Sequence, residues 1–185
     1  MVTGTQPKTR STWVMDPAHS SVEFAAKHMV ISSVRGRFGK LEIHMSFDQT
    51  QPERSQVEAR IDAASIDTKQ PDRDAHLRSP DFLNADKFPW ITFKSRRIES
   101  SASGHHRIVG DLTIREVTRE VFLDAEYAGI AKDPMGNLHA GFSAAATINR
   151  RDFGLIWNMA LETGGFLVGD TVRINIELEV VRQDS

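Results

Sequence analysis

Eight stretches of this 185-residue chain alternate apolar and polar side chains with a period of two, and most carry an Ala or Gly among the Phe, Ile and Leu of the apolar face. The last is the cleanest: Val172, Ile174, Ile176, Leu178 and Val180 share one face, and Thr171, Arg173, Asn175, Glu177 and Glu179 share the other. Such alternation marks strands with one buried and one wet side. The remaining runs turn inward Val22/Phe24/Ala26/His28, Leu41/Ile43/Met45/Phe47, Val57/Ala59/Ile61/Ala63, Ile91/Phe93/Ser95, Ile108/Gly110/Leu112/Ile114, Val121/Leu123/Ala125/Tyr127 and Phe142/Ala144/Ala146/Ile148. An even number of antiparallel strands suits an up-and-down barrel, and small inward residues leave a closed sheet room for a guest. A filled two-sheet sandwich produces the same alternation, so the pattern alone leaves both architectures open.

The length fits one all-β domain. Lys plus Arg number 23 against 25 Asp plus Glu, a balance with no general attraction for phosphate backbones, so nucleic acid is not an expected partner. Without cysteine, the chain has no disulfide scaffold, thiolate metal site or cysteine nucleophile. The first twelve residues, MVTGTQPKTRST, lack the apolar core of a secretory signal. They read as a flexible lead-in to a domain over 13–182, with a cytoplasmic location expected. No run approaches the ~18 to 20 apolar residues of a membrane span.

Between the strands, Met29 to Gly36 has mixed periodicity and reads as a short helical turn. A bulge is expected near Gly39, because Phe38 and Leu41 have opposite parity yet both should be buried. The segment from Asp67 to Pro89 is too long for a hairpin turn. It predicts a short helical insertion around residues 72–86, with Asp72 or Asp74 as a cap and Ser79-Pro80 as a second helix start. Phe82, Leu83 and Phe88 would then face the sheet and close one end. Turns are predicted at 100–106, at 131–137 and around Gly164-Gly165.

An ordered set of short motifs carries further information. Trp13, Asp16-Pro17-Ala18-His19-Ser20, Phe24 with His28, Val34-Arg35-Gly36-Arg37-Phe38-Gly39, Arg73-Asp74-Ala75-His76-Leu77, Phe88-Pro89 and Phe93-Lys94-Ser95 occupy the first half. Gly110-Asp111-Leu112-Thr113-Ile114, Val117-Thr118, Gly141-Phe142, Ile148-Asn149-Arg150-Arg151-Asp152-Phe153-Gly154 and Gly169-Asp170 follow. Together, from Trp13 to Val181, they resemble the YceI-like family. The resemblance implies an eight-stranded antiparallel, lipocalin-like barrel with a long apolar tunnel. It also implies a polyisoprenoid ligand, such as an isoprenoid quinone or polyprenyl amphiphile, and makes a homodimer plausible. Ile43 and Glu116 depart from the family, whose members often have Gly there. The first narrows or reshapes the wall, and the second lacks glycine's easy positive φ.

On this reading the chain is a lipid binder and not an enzyme. It needs no cofactor beyond the bound isoprenoid. The candidate tunnel residues are Phe24, Ala26, His28, Met45, Ile61, Phe82, Phe93, Leu112, Phe142, Ala144, Ile148, Phe153, Trp157 and Ile174. Inward parity places His28 either as a hydrogen-bonded core histidine or as a donor to a ligand carbonyl. Arg73, Asn149, Arg151 and Asp152 are the headgroup or rim candidates; they equally suit fastening a loop to the barrel, with Asp152 accepting backbone N–H groups and pairing with Arg73. The seven histidines show no metal-ligand spacing, and no nucleophile motif occurs. The rival readings are an enzyme using His28, Arg73 or Asp152 on a hydrophobic substrate, and a stress-related interaction module.

Overall fold

A computed structural model describes residues 10–101 and 104–183. Eleven strands and one helix follow in order: β1 Arg10–Met15, β2 Ser21–His28, β3 Ser32–Phe38, β4 Leu41–Asp48, β5 Gln56–Asp62, β6 Ile66–Asp67, α1 Pro71–Arg78, β7 Trp90–Ser100, β8 His105–Ile114, β9 Val117–Lys132, β10 Leu138–Asn149 and β11 Val168–Gln183. The sheet closes: β1, β4, β5, β7, β8, β9, β10 and β11 pair in that circular order, β11 returning to β1.

The closed circuit has eight members, yet they are not the eight alternating runs. β11 is long enough to take two partners along one edge, with Met15 opposite Val180 and Val22 opposite Ile176, while β10 holds its other edge. Thus β1 and β2 form one kinked ribbon. β3 and β4 form the next, interrupted at Gly39, whose N–H donates to the Ser65 carbonyl at 3.0 Å. This interruption is the predicted break in parity: it turns both Phe38 and Leu41 toward the core. β5 and the short β6 make the third composite ribbon. β2, β3 and β6 therefore extend the barrel wall past the closed circuit at one end.

The structure departs from four of these expectations. β1 begins at Arg10, inside the expected lead-in; residues 1–9 of that segment lie outside the described residues. Met29 to Gly36 contains no helical turn. Met29 (φ 51°) and Val30 (φ 66°) take left-handed conformations and reverse the chain into β3, the geometry of a tight hairpin. In the insertion, Gln70 and not an aspartate caps α1, its side chain accepting the Asp72 N–H at 3.1 Å ahead of Pro71. Ser79 ends this helix instead of starting another.

At the end where β1 and β4 lie, Trp13, Phe47, Tyr127 and Phe142 stack into an aromatic floor with ring centroids 5.2–6.3 Å apart. At the opposite end, α1 and the turns after it lie over the barrel. Arg78 holds this cap down by donating to the carbonyls of Ala64 (2.8 Å) and Ile66 (3.0 Å).

Candidate functional site: an apolar bore

Between floor and cap runs a cavity of about 260 Å³. Its wall is made by the inward register of the strands, because alternate side chains of a closed sheet must point to the axis. Phe24, Ala26, Met45, Ile61, Phe93, Leu112, Phe142, Ala144, Ile148 and Ile174 border it, as do Leu77, Phe82 and Leu83 from the cap. Ile43 also borders it, filling space that a glycine would leave open. At the other departure, the turn between β8 and β9, the positive φ falls on Arg115 (59°) and not on Glu116.

The glycines play a different part from the alanines. A Cβ on Gly36 would sit 2.5 Å from Cζ of Phe24, and one on Gly110 would sit 2.5 Å from Cζ of Phe93 and 2.6 Å from the Lys94 carbonyl. Each glycine is thus covered by an aromatic ring from a neighbouring strand, and its missing side chain makes room for protein rather than for a guest. Ala144, opposite Ala125 on β9 and Ile176 on β11, leaves true lumen.

Several predicted residues lie off the bore. His28 is half-buried at the end of β2, beside the hairpin tip, and does not border the cavity. Trp157 packs outside it, 4.6 Å from the His76 ring and 5.4 Å from Phe82. Phe153 is 2% exposed and lines a separate cleft. Phe88 does not close the barrel; it lies half-buried under the Arg115 guanidinium at 5.6 Å. The rim candidates are likewise engaged in loop structure. Arg73 donates to Oγ1 (2.7 Å) and the carbonyl (2.9 Å) of Thr68, so its partner is not Asp152. Asn149, not Asp152, accepts the backbone N–H of Arg151 at 2.9 Å. Asp152 borders the cleft, and Arg151 reaches toward Asp170 at 3.9 Å.

The residue that fastens the rim is one the sequence reading passed over. Arg150 is 4% exposed and borders the bore. It donates to the carbonyls of Gly169, Leu155, Trp157 and Val168 and to the Asp170 carboxylate, so all three guanidinium nitrogens are engaged. Burial pushes its pKa down, partly offset by Asp170. With five N–H donors directed at five protein acceptors, it has none left for a ligand. Its place inside the Asn149-Arg150-Arg151-Asp152 motif was the available signal.

The wall has a seam. Pairing of β10 with β9 ends at Ala145 opposite Asp124, and beyond it the strands part around a cleft of about 440 Å³. Arg119, Glu120 and Asp152 line its outer side, while Val121, Ala146 and Ile148 are shared with the bore.

The Asp16-Pro17-Ala18-His19-Ser20 motif lies on the outside, in the kink between β1 and β2. There Glu179 of β11, paired with Gly141 of β10 on its other edge, falls between the pairings with β1 and β2. Asp16 N–H donates to its carbonyl (2.8 Å), and the Ser20 hydroxyl both donates to that carbonyl (3.1 Å) and accepts the Glu179 N–H (3.0 Å). His19 meets Asp16 at 3.0 Å, and His139 bridges Glu179 (2.7 Å) and Asp133 (3.2 Å). Ligating atoms of Asp16, His19 and Glu179 lie within 4.8 Å of one another. Hydrogen bonds first from Asn137 and then from His139 hold the Asp133 carboxyl down at about 2, and Asp133 followed by Glu179 raises the His139 imidazole. This network is a clasp across the ribbon kink.

Comparisons with known proteins agree with this architecture. A UPF0312 protein of Staphylococcus aureus (strain MSSA476) is 38% identical over 170 residues, 91% of this chain and 96% of the relative. The Campylobacter jejuni YceI protein superposes with a TM-score of 0.73 at 32% identity, covering 86% of this chain and 90% of that one. Burkholderia cenocepacia BcnA shares the fold (TM-score 0.79, 24% identity, 89% and 98% covered). So does a polyisoprenoid binding domain from Saccharophagus degradans (TM-score 0.64, 13% identity, 94% and 99% covered). With the YceI-like domain model matching residues 13–180, the barrel, its capped bore and its kinked ribbons are those of a YceI-like protein, and the chain belongs to that family.

Proposed function

We propose that this chain binds the tail of a long-chain isoprenoid lipid, an isoprenoid quinone or polyprenyl amphiphile, in its bore, and so carries or sequesters it. The observation that carries this reading is a cavity walled by apolar side chains from every strand of the closed circuit except β1. Glu23 and Ser143 border it from the outward register, and Arg150 has no free donor. An isoprenoid tail requires this kind of surface, continuous apolar contact without directional groups. The polyisoprenoid binding domain that shares the fold lends support.

The volume sets a scale. Since a cavity of ~150 Å³ holds a benzene, the 260 Å³ here takes about ten carbons, or two isoprene units. At ~0.8 kcal/mol per buried carbon this is about 8 kcal/mol gross, before the cost of ordering the tail. A longer tail is accommodated by widening the bore or by leaving through the cap or the seam.

A catalytic reading has less to work with. Among the described residues no imidazole borders the bore; Arg73 is tied to Thr68, and Asp152 stands at the seam. Native mass spectrometry and organic extraction of the purified chain test the proposal. A co-purifying isoprenoid, or saturable uptake of an added one, is expected. A protein that is reproducibly empty and takes up none overturns it.

A further inference from the structure

The end of the barrel that carries the cap also carries an unusual concentration of exposed apolar side chains. Met29 (39% exposed), Val30 (72%) and Ile31 (83%) form the β2–β3 hairpin tip, and Ile156 (63%), Met159 (56%) and Phe166 (59%) project from the segment before β11. The chain holds these together: the Met29 N–H donates to the Leu167 carbonyl and the Leu167 N–H to the Met159 carbonyl, both at 2.9 Å, and Ala160 bridges Phe166. Isolated apolar residues on a surface are ordinary, whereas a contiguous group marks a contact site.

Charge identifies the partner. From Phe24 to Leu41 there is no acidic residue, while Lys27, Arg35, Arg37 and Lys40 are cationic. Arg35 and Arg173 flank Ala25 on neighbouring strands, and Lys27 lies two residues nearer the tip on the same outward face. Among the described residues, none of Lys27, Arg35 and Arg173 has an ion-pair partner. Glu162 is the one carboxylate between Leu155 and Val168. An apolar tip backed by a cationic row is the pattern that inserts into the interface of an anionic bilayer. A two-fold pairing of this face with a second copy would bring the cationic rows toward each other. The bore reaches the same place, since Ala26 and Val168 border it and His28 pairs opposite Val168.

We propose that this end of the barrel docks on anionic lipid surfaces, the tip and Phe166 entering the interface while Lys27, Arg35 and Arg173 meet the headgroups. A lipid then passes between bilayer and bore without crossing water. The transfer role rests on the bore reading above; the docking itself does not.

The test is flotation of the full chain with vesicles of phosphatidylcholine alone or with added phosphatidylglycerol. Co-flotation with the anionic vesicles, weakened by salt, is expected. The Val30→Ser/Ile31→Ser/Phe166→Ser and Lys27→Glu/Arg35→Glu variants should each lose at least ~10-fold in vesicle affinity. Both should retain the parent's circular dichroism and its uptake of a detergent-dispersed polyprenol. Three results overturn the proposal: no flotation of the parent, equal flotation on uncharged vesicles, or a parent dimer that the serine variant dissolves, which makes the face a subunit interface. Absent polyprenol uptake by a parent that still floats counts against the bore reading alone.

Discussion

Replacing Ala144 by Phe puts the proposed lumen to its most direct test. Ala144 borders the bore opposite Ala125 and Ile176, so a phenyl ring there projects into the space claimed for the ligand. The ring adds six carbons, about the occupant of a ~150 Å³ cavity, and so takes more than half of the 260 Å³. Displacing about six ligand carbons at ~0.8 kcal/mol each forfeits about 5 kcal/mol of gross burial. Tail ordering and residual space reduce the net effect, and affinity should fall by at least ~100-fold, about 2.7 kcal/mol. The same substitution fills about 150 Å³ of void, worth up to ~3.6 kcal/mol at ~24 cal/mol per Å³. The ligand-free variant should therefore unfold at a temperature no lower than the parent. Titration of a fluorescent prenyl probe and thermal unfolding provide the two readings, with Asn175→Phe on the exposed face of β11 as the control that leaves affinity unchanged. Undiminished binding by the folded Ala144→Phe variant refutes the placement of ligand in the bore. Unfolding by the ring refutes the existence of the space.

Other consequences follow from individual contacts. Arg150→Met leaves the carbonyls of Leu155, Trp157 and Gly169 without their donor, that of Val168 keeping Asn158, and should cost at least about 3 kcal/mol in urea unfolding; a loss below 1 kcal/mol, roughly one ordinary hydrogen bond, argues against its role as the rim fastener. Gly110→Ala drives a methyl against the Lys94 carbonyl and the Phe93 ring and should destabilise by about 1–3 kcal/mol, whereas a neutral result means that the strands separate easily there. The clasp gives a pH signature. His139, raised above 6.5, contributes fully below that value and loses its contribution as pH rises through the raised one. Asp133, lowered from 3.8 to about 2, contributes above 3.8 and loses its contribution as pH falls toward 2. The melting-temperature advantage of the parent over His139→Ala should therefore be largest between about pH 4 and 6.5 and shrink at about pH 9; an advantage that is flat with pH contradicts the charged clasp.

Much of the bore wall was legible because strand alternation is a local property. Phe24, Ala26, Met45, Ile61, Phe93 and Ile174 fall on the inward register in both sequence and structure. His28 has the same parity as Phe24 but lies beyond the cavity, because parity fixes a side of the sheet and not a height along the barrel axis. The kinked ribbons were hidden for a related reason. β1 is only six residues long and β6 two, and each is a strand because β11 or β3 offers it an edge. The left-handed pair Met29-Val30 resembles no hairpin signal, since such turns favour Asn and Gly.

The rim divides the two kinds of information most clearly. A polar, Arg-rich motif beside a barrel end announces that something is fastened there, and the sequence alone determines this much, together with the all-β class, the strand faces and the apolar character of the interior. It does not determine that Arg150 faces inward to gather four carbonyls while Arg151 and Asp152 stay near the surface, that Gly36 and Gly110 serve aromatic rings instead of a ligand, or that about 260 Å³ stays unfilled. Those outcomes depend on which side chains meet across residues far apart in the chain. Hydrophobic pattern is written residue by residue, whereas empty space and hydrogen-bond partnership exist only between elements once the sheet has closed on itself.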